Sequence, residues 1–210
     1  MGIDFSDLNG DGRDDFLVLD MLSPDYERRM RQVSVMGLMD WPTTLTGERP
    51  QAERNTLLMS RRDGSYGEVA LFAGVSSTEW SWCPIFVDVD LDGDSDLLVS
   101  NGYGFDTQDG DAEALISARG PFPAHKVPTK LLMRPRLPLS NFAFRNLGEG
   151  RFEDVSQEWG FNTLGISQGM ALGDLDGDGD QDVVINNMNA PLGLYQNVSG
   201  APRIAVSLVG

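Results

Sequence analysis

Three aspartate-rich nonapeptides constrain this chain more than any other feature: DLNGDGRDD from Asp7 to Asp15, DVDLDGDSD from Asp88 to Asp96, and DLDGDGDQD from Asp174 to Asp182. The last two begin 86 residues apart, and the same offset aligns residues 55–101 with 141–187 without a gap. Twelve of those 47 positions are identical, including Asn55, Gly74, Ser81 and Asn101 outside or beside the acidic runs, so the likeness is a repeat and not a shared turn. A shorter period lies inside it. Phe144-Arg145-Asn146 recurs as Tyr195-Gln196-Asn197, 51 residues on, which leaves an insertion of 86 − 51 = 35 residues between Asn101 and Asn141. The first two nonapeptides start 81 residues apart, leaving 81 − 51 = 30 extra residues between Asp20 and Asn55. Both insertions fall at the same place in the unit, which is what a repeat architecture tolerates.

The chain therefore divides into a partial unit with the first acidic loop (1–21), an insertion (22–54), a full unit with the second loop (55–101), an insertion (102–140), a full unit with the third loop (141–187), and the start of a further unit or C-terminal module (188–210). A short β-rich run follows each nonapeptide: Phe16-Leu17-Val18-Leu19, Leu97-Leu98-Val99-Ser100 and Val183-Val184-Ile185-Asn186. Another precedes the second (Trp80 to Val87) and the third (Gly169 to Leu172), and two more flank a glycine turn, as in Phe142–Arg145 and Arg151–Val155 around Gly148-Glu149-Gly150. That makes about four short strands per unit. The expected fold class is all-β, built of β-propeller blades of four short antiparallel strands in an incomplete propeller, with partly helical insertions between blades. Ser23-Pro24-Asp25 reads as a helix start with Pro at the first position, running to about Met36 and stopped by Gly37. Asp111 to Arg119 is a second short helix closed by Gly120-Pro121, and Pro121 to Pro138 reads as irregular loop.

The nonapeptides share the form D-x-[DN]-x-D-G-x-x-D, which suits a hard cation. Side chains at positions 1, 3 and 5 are Asp7, Asn9 and Asp11 in the first loop, Asp88, Asp90 and Asp92 in the second, and Asp174, Asp176 and Asp178 in the third. Alternate side chains of a tight loop converge on one centre. The glycine at position 6 (Gly12, Gly93, Gly179) permits the bend that brings round a position-7 carbonyl (Arg13, Asp94, Asp180) and the position-9 carboxylate (Asp15, Asp96, Asp182). Six to eight oxygen ligands favour Ca2+, at about three sites. Mg2+ demands a tighter octahedron, and no soft ligand is near for zinc, copper or iron. Position 12 is Val18, Val99 or Ile185 inside an apolar run, where an EF-hand needs a bidentate Glu. The loop joins strands, and the EF-hand is rejected.

These residues resemble the FG-GAP/VCBS repeat family, whose calcium loops also occur in integrin α-chain propellers. Asn146-Leu147-Gly148-Glu149-Gly150-Arg151-Phe152-Glu153-Asp154-Val155 is similar to the signature of the cartilage acidic protein group, and so are Leu19-Asp20-Met21-Leu22 and Pro24-Asp25. The Phe-Gly element is reduced to Leu164-Gly165 in the last unit and replaced by Thr78-Glu79 in the middle one, so no integrin-type ligand recognition is carried over. The tail from Pro202 to Gly210 is similar to the opening strand of an ASPIC-type module. The resemblance implies an internal piece of a longer secreted protein, with further propeller blades of the full-length chain as neighbours. It implies an extracellular, periplasmic or cell-surface location, and a role as scaffold or recognition surface for a protein or carbohydrate ligand.

Composition narrows the function further. The chain of 210 residues carries 32 acidic and 16 basic side chains, a net charge of −16 that disfavours nucleic acid and anionic membrane surfaces. Fourteen of its 23 Asp lie inside the nonapeptides, and without them the charge is −16 + 14 = −2, so the acidity belongs to the loops. No run approaches the length of a transmembrane helix, and a single Cys83 and a single His125 exclude a disulfide and any two-His metal site. Trp80 and Trp82, two residues apart, read as packing between neighbouring units ahead of a carbohydrate platform. No nucleophile, oxyanion loop or phosphate cradle is visible, so no enzymatic activity is expected. The alternative is a propeller-type enzyme whose site is formed by inserted loops such as 102–138. It requires a deep polar pocket shared by both insertions.

Overall fold

Each acidic loop turns out to be the bend of a hairpin, and each hairpin supplies the first two strands of an antiparallel sheet. The computed structural model describes residues 1–32, 53–123 and 127–202. Sheet 1 is formed in sequence order by β1 (Ile3–Ser6), β2 (Asp15–Val18), β3 (Thr56–Ser60) and β4 (Tyr66–Glu68). Sheet 2 has the same order in β5 (Ser81–Val87), β6 (Asp96–Asn101), β8 (Phe142–Asn146) and β9 (Phe152–Asp154). Sheet 3 comprises β11 (Ser167–Gly173), β12 (Asp182–Asn187) and β13 (Gly193–Tyr195). A two-residue pair, β7 (Leu139–Ser140) with β10 (Leu164–Gly165), lies beside sheets 2 and 3. The chain is all-β in class, and among the described residues the helices are short and confined to the connections.

Sheet and sequence repeat are out of phase. The repeat 55–101 contributes its first two strands to sheet 1 and its last two to sheet 2. Each insertion joins the second strand of a sheet to the third. Sheet 3 has no insertion there, so residues 193–195, which open a new unit in the repeat frame, pair directly with β12.

Burial follows the two-residue period of a strand sandwiched between sheets. Leu97 and Val99 of β6 face sheet 1, where they share a core with Leu17, Leu57, Ala73, Phe144 and Phe152. Leu98, between them, faces sheet 3 and packs with Val87, Ala143, Phe161, Val183 and Ile185. β6, covered on both sides, needs apolar residues at every position, which is why Leu97-Leu98-Val99 shows no alternation.

A buried polar stitch recurs after the first two hairpins. Asn55 Oδ1 accepts Asp20 N–H at 2.8 Å, and Asn141 Oδ1 accepts Asn101 N–H at 2.9 Å. Each ties the end of a second strand to the start of the third across its insertion. The identity of Asn55 and Asn141 in the repeat therefore reflects a fixed strand junction.

The insertions dock on each other through charge. Helix α1 (Tyr26–Arg31) is capped by Asp25, whose side chain accepts Arg28 N–H. The cap is thus two residues later than the expected Ser23 start, because the Asp25 carboxylate reaches the first-turn N–H while Ser23 Oγ is committed to Glu79. The helix ends at Arg31, where Gln32 leaves the helical conformation and bridges Asp109; the expected stretch to Met36 and its stop at Gly37 lie outside the described residues. Residues 33–52 lie outside the described residues. Arg28 bonds Glu79 at 2.8 Å and Asp106 at 2.5 Å, joining the first insertion to the second. A one-turn helix, α2 (Ala70–Ala73), was not expected from the sequence. Helix α3 (Gly110–Ala118), capped by Asp109, matches the expected second helix. The Pro-rich stretch read as irregular instead contains α4 (Val127–Leu132), where Pro128 occupies a first-turn position whose N–H needs no partner.

Trp80 stacks on Tyr103 at 4.6 Å and Trp82 leans on the same ring, its Nε1 donating to Gly102 O. The aromatic pair packs against its own insertion. Close approach of β10 explains Gly102, where an added Cβ would lie 2.5 Å from Gly165 O at φ +119°. Gly102→Ala is therefore expected to lower stability by about 2–4 kcal/mol, read as a shift in a urea or thermal unfolding midpoint.

Candidate metal centre

Within each nonapeptide the backbone is organised by its own aspartates. The position-1 carboxylate accepts the N–H groups of positions 5 and 6: Asp7 from Asp11 and Gly12, Asp88 from Asp92 and Gly93, Asp174 from Asp178 and Gly179. The bond from Gly12 is the main reason the Asp7 carboxyl lies below the usual range. Position 5 accepts the position-7 N–H in every loop, Asp11 from Arg13, Asp92 from Asp94 and Asp178 from Asp180. The expected left-handed glycines at position 6 are present (φ +79°, +100° and +93° for Gly12, Gly93 and Gly179). Position 4 is left-handed too, as Gly10, Leu91 and Gly177, a demand the sequence pattern did not reveal because Leu91 breaks it. Leu91→Gly should relieve that conformation and raise the unfolding midpoint of the metal-free protein, by up to about 1 kcal/mol.

The position-9 aspartates are buried and do more than close the loop. One oxygen accepts the position-2 N–H of the same loop (Leu8 to Asp15, Val89 to Asp96, Leu175 to Asp182). The other accepts an N–H at or just beyond the end of the third strand (Ser60, Asn146 and Asn197, respectively). Loop, second strand and third strand thus meet at one carboxylate. Two neighbouring residues carry the tie to the preceding sheet. Asn146 Nδ2 donates to Leu8 O, and Asn197 Nδ2 donates to Val89 O. Asn197 of the Asn197-Val198-Ser199 sequon is accordingly engaged through its amide.

Three carboxylates converge in two of the loops. Asp88, Asp90 and Asp96 each offer an oxygen within 4.8 Å of the others, as do Asp174, Asp176 and Asp182. These are positions 1, 3 and 9. Position 5, Asp92 or Asp178, is outside that grouping; Asp94 at position 7 is exposed, whereas Asp180 is buried. In the first loop Asn9 stands at position 3 and Arg13 pairs with Asp11 at 3.4 Å, so the same backbone carries less negative charge.

The outer oxygen of position 3 is held from the third strand. Arg145 Nε donates to Asp90 Oδ2 at 3.2 Å, and Gln196, at the equivalent position, donates to Asp176 Oδ2 at 2.5 Å. Asp90 Oδ1 is left buried with no hydrogen-bond partner, inside the Asp88–Asp90–Asp96 grouping. A buried carboxylate oxygen without a donor is costly unless a cation sits against it. The donor set is all oxygen, so it fits a hard divalent ion. Arg145 and Gln196 were not singled out from the sequence; their places immediately before the repeated Asn are the only signal that could have found them.

Residues 107–185 match the family model described as an FG-GAP-like repeat. The FG-GAP-like stretch runs from α3 through the third nonapeptide into β12, so it includes one complete carboxylate grouping. The match supports an FG-GAP-like repeat protein, and acidic loops that could hold a metal ion. No curated protein matches the chain. No helix among the described residues is long and apolar enough to cross a membrane.

Two cavities lie near these elements. One of about 310 Å3 is set between sheets 2 and 3 and lined by Trp159, Phe161, Tyr195 and Asn197. Phe152 packs into the core between sheets 1 and 2; its 51-residue equivalent is residue 203, outside the described residues. The other, of about 190 Å3, is shared by the two insertions through Arg28, Arg31, Asp106 and Arg136.

Burial is the largest influence on Asp96 and pushes its carboxyl up to about 6, against the opposing bonds from Asn146 and Val89; Asp90 and Asp92 add to the rise. A raised carboxyl means the metal-free fold binds this proton more tightly than the unfolded chain does. That contribution is full below the ordinary carboxylate range and is lost as pH rises through about 6. Chelator-treated protein should therefore lose stability between about pH 4 and 6 on this account, with Asp96 titrating near 6 by carboxyl NMR. A midpoint near 4 would show that burial does not govern the group.

Proposed function

We propose that the chain is a calcium-pinned segment of a β-propeller, its sheets serving as blades and its loops and insertions as a scaffold or recognition surface for protein or carbohydrate. The observation that carries this reading is the recurrence of one grouping, positions 1, 3 and 9, in two hairpins of the same place and phase. A single acidic turn has ordinary explanations; two carboxylate triads at equivalent positions, one holding a buried oxygen with no donor, favour ligation. Asp88, Asp90 and Asp96 would hold one ion, Asp174, Asp176 and Asp182 a second, and Asp7, Asn9, Asp11 and Asp15 a third. The carbonyls of Arg13, Asp94 and Asp180 are further oxygen donors available to them. With Asn9 in place of a carboxylate, the first loop is the weakest of the three, since affinity follows ligand charge.

An extracellular location suits the reading, because modules of this kind commonly bind at about 10⁻⁴ to 10⁻³ M and calcium outside cells reaches that range. The reading assigns no catalytic step. The cavity shared by the insertions, at about 190 Å3, is smaller than the ~300 Å3 at which ligand pockets begin.

Calcium binds the folded loop and has no formed site in the unfolded chain, so it adds to stability. Stripping the protein with chelator is expected to lower its melting temperature, and millimolar calcium to restore it. Asp88→Ala and Asp174→Ala should each remove one ion from the bound stoichiometry measured by equilibrium dialysis. A melt insensitive to chelator on demonstrably metal-free protein would overturn the reading.

A further inference from the structure

The second and third acidic loops carry aspartates at the same five positions, 1, 3, 5, 7 and 9. A difference in charge enters from outside the nonapeptide, through the residue that reaches position 3. Ser60, Asn146 and Asn197 occupy one place in the three units, since each gives its N–H to the position-9 carboxylate. The residue just before that place is Met59, Arg145 or Gln196. Where position 3 is the neutral Asn9, it is Met59, whose side chain has no donor. Where position 3 is Asp90 or Asp176, it is a side chain that donates to the outer carboxylate oxygen. The donor follows the carboxylate, so this outside residue belongs to the chemistry of the loop.

Arg145 and Gln196 do one geometric task with different charge. Each fixes an Oδ2, and in the second loop the other oxygen, Asp90 Oδ1, is buried within the Asp88–Asp90–Asp96 grouping. The Arg145 guanidinium is itself held. Its Nη2 bonds Glu158 at 2.8 Å, its Nη1 lies 4.0 Å from Glu153, and its Cζ lies 5.2 Å from the Trp159 ring centroid. An ion about 2.3–2.6 Å from Asp90 Oδ1 would stand roughly 6 Å from that guanidinium. In water, a divalent and a monovalent cation about 6 Å apart repel enough to change an equilibrium about ten-fold, and physiological salt cuts this to about three-fold. Glu153 and Glu158 offset part of that repulsion, but their side chains are 58 and 61 % exposed, and both remain when Arg145 is replaced. In the metal-free loop the same charge works the other way. It relieves the crowding of carboxylates through which Asp90 and Asp92 push Asp96 up.

We propose that Arg145 is a resident counter-cation that holds down the calcium affinity of the second loop. It aims Asp90 and supports the metal-free loop while opposing the ion. Gln196 aims Asp176 without that opposition. The proposal rests on the calcium reading, and it gives Arg145 a positioning role, because the side chain touches a ligand and not the ion.

Loop-resolved calcium affinities test this on the 15N-labelled 210-residue chain, stripped with chelator and titrated with calcium at about 0.15 M salt. The amide signals of Gly93 and Gly179 report the two loops, because each N–H bonds the position-1 carboxylate of its own loop. Arg145→Gln keeps a donor and removes the charge. It should tighten the binding read at Gly93 about three- to ten-fold and leave that at Gly179 unchanged. Gln196→Arg, at an exposed position, should weaken the binding read at Gly179 by a similar factor and leave Gly93 unchanged. A merely structural contact gives the opposite sign, with Arg145→Gln lowering the metal-free melting temperature and the calcium affinity together. Calcium-responsive signals with an unchanged or weaker Gly93 affinity in Arg145→Gln would overturn the proposal and leave the calcium reading standing. Should Arg145→Gln fail to fold, Gln196→Arg decides, and an unchanged or tighter Gly179 affinity overturns the proposal. Gly93 and Gly179 signals that both ignore calcium would remove the calcium reading, and this proposal with it.

Discussion

The rest of the molecule depends on one carboxylate repeated three times. Asp15, Asp96 and Asp182 each receive an N–H from their own loop and another from the chain at or just beyond the third strand, at distances from 2.7 to 3.1 Å. Each oxygen keeps a second lone pair, so the same group can hold the sheet together and still face an ion. Such a carboxylate is costly to bury, as the raised position of Asp96 shows, and a divalent cation is the natural way to offset that cost. On the proposed calcium reading, ion binding and sheet geometry would be coupled at a single atom group. The loop is stiffened at positions 1 and 5 by its own backbone donors, which leaves positions 1, 3 and 9 poised around one centre.

From that carboxylate the order spreads outward. The position-2 residue it fixes presents its carbonyl to the following sheet, where Asn146 or Asn197 takes it. A stripped loop would thus loosen a contact between two sheets as well as its own hairpin. The insertions, by contrast, hang on the Asn55 and Asn141 stitches and on the Arg28 pairs with Glu79 and Asp106, none of which belongs to an acidic loop. The length of an insertion can vary without disturbing the loop chemistry.

Much of this was legible in the residues, for identifiable reasons. The strands declared themselves because Val, Leu and Phe runs are bounded by Gly and Asp turns, and the loops because their spacing is set by alternation along a tight bend. The phase between repeat and sheet was not legible. Identity along a chain says which positions are equivalent, but nothing about where one sheet ends, and only pairing of β2 with β3 across 37 residues reveals it. Helix α1 began later than Pro24 suggested because Ser23 was already spent on Glu79, a partner 56 residues away. Pro128 hid α4, since a proline-rich stretch reads as loop unless the proline happens to fall in a first turn. At the candidate metal centre, the carboxylates of positions 1, 3 and 9 that converge in two loops are among the residues the sequence offered, but Arg145 and Gln196, which hold the outer oxygen of position 3, were not legible, because they come from a distant part of the chain.

Long-wavelength anomalous diffraction from crystals grown in millimolar calcium tests the central claim most directly. The account predicts a peak bounded by Asp88, Asp90 Oδ1 and Asp96, and another bounded by Asp174, Asp176 and Asp182, at about 2.3–2.6 Å from the carboxylate oxygens. The absence of both peaks, or calcium bound away from these carboxylates, would contradict it.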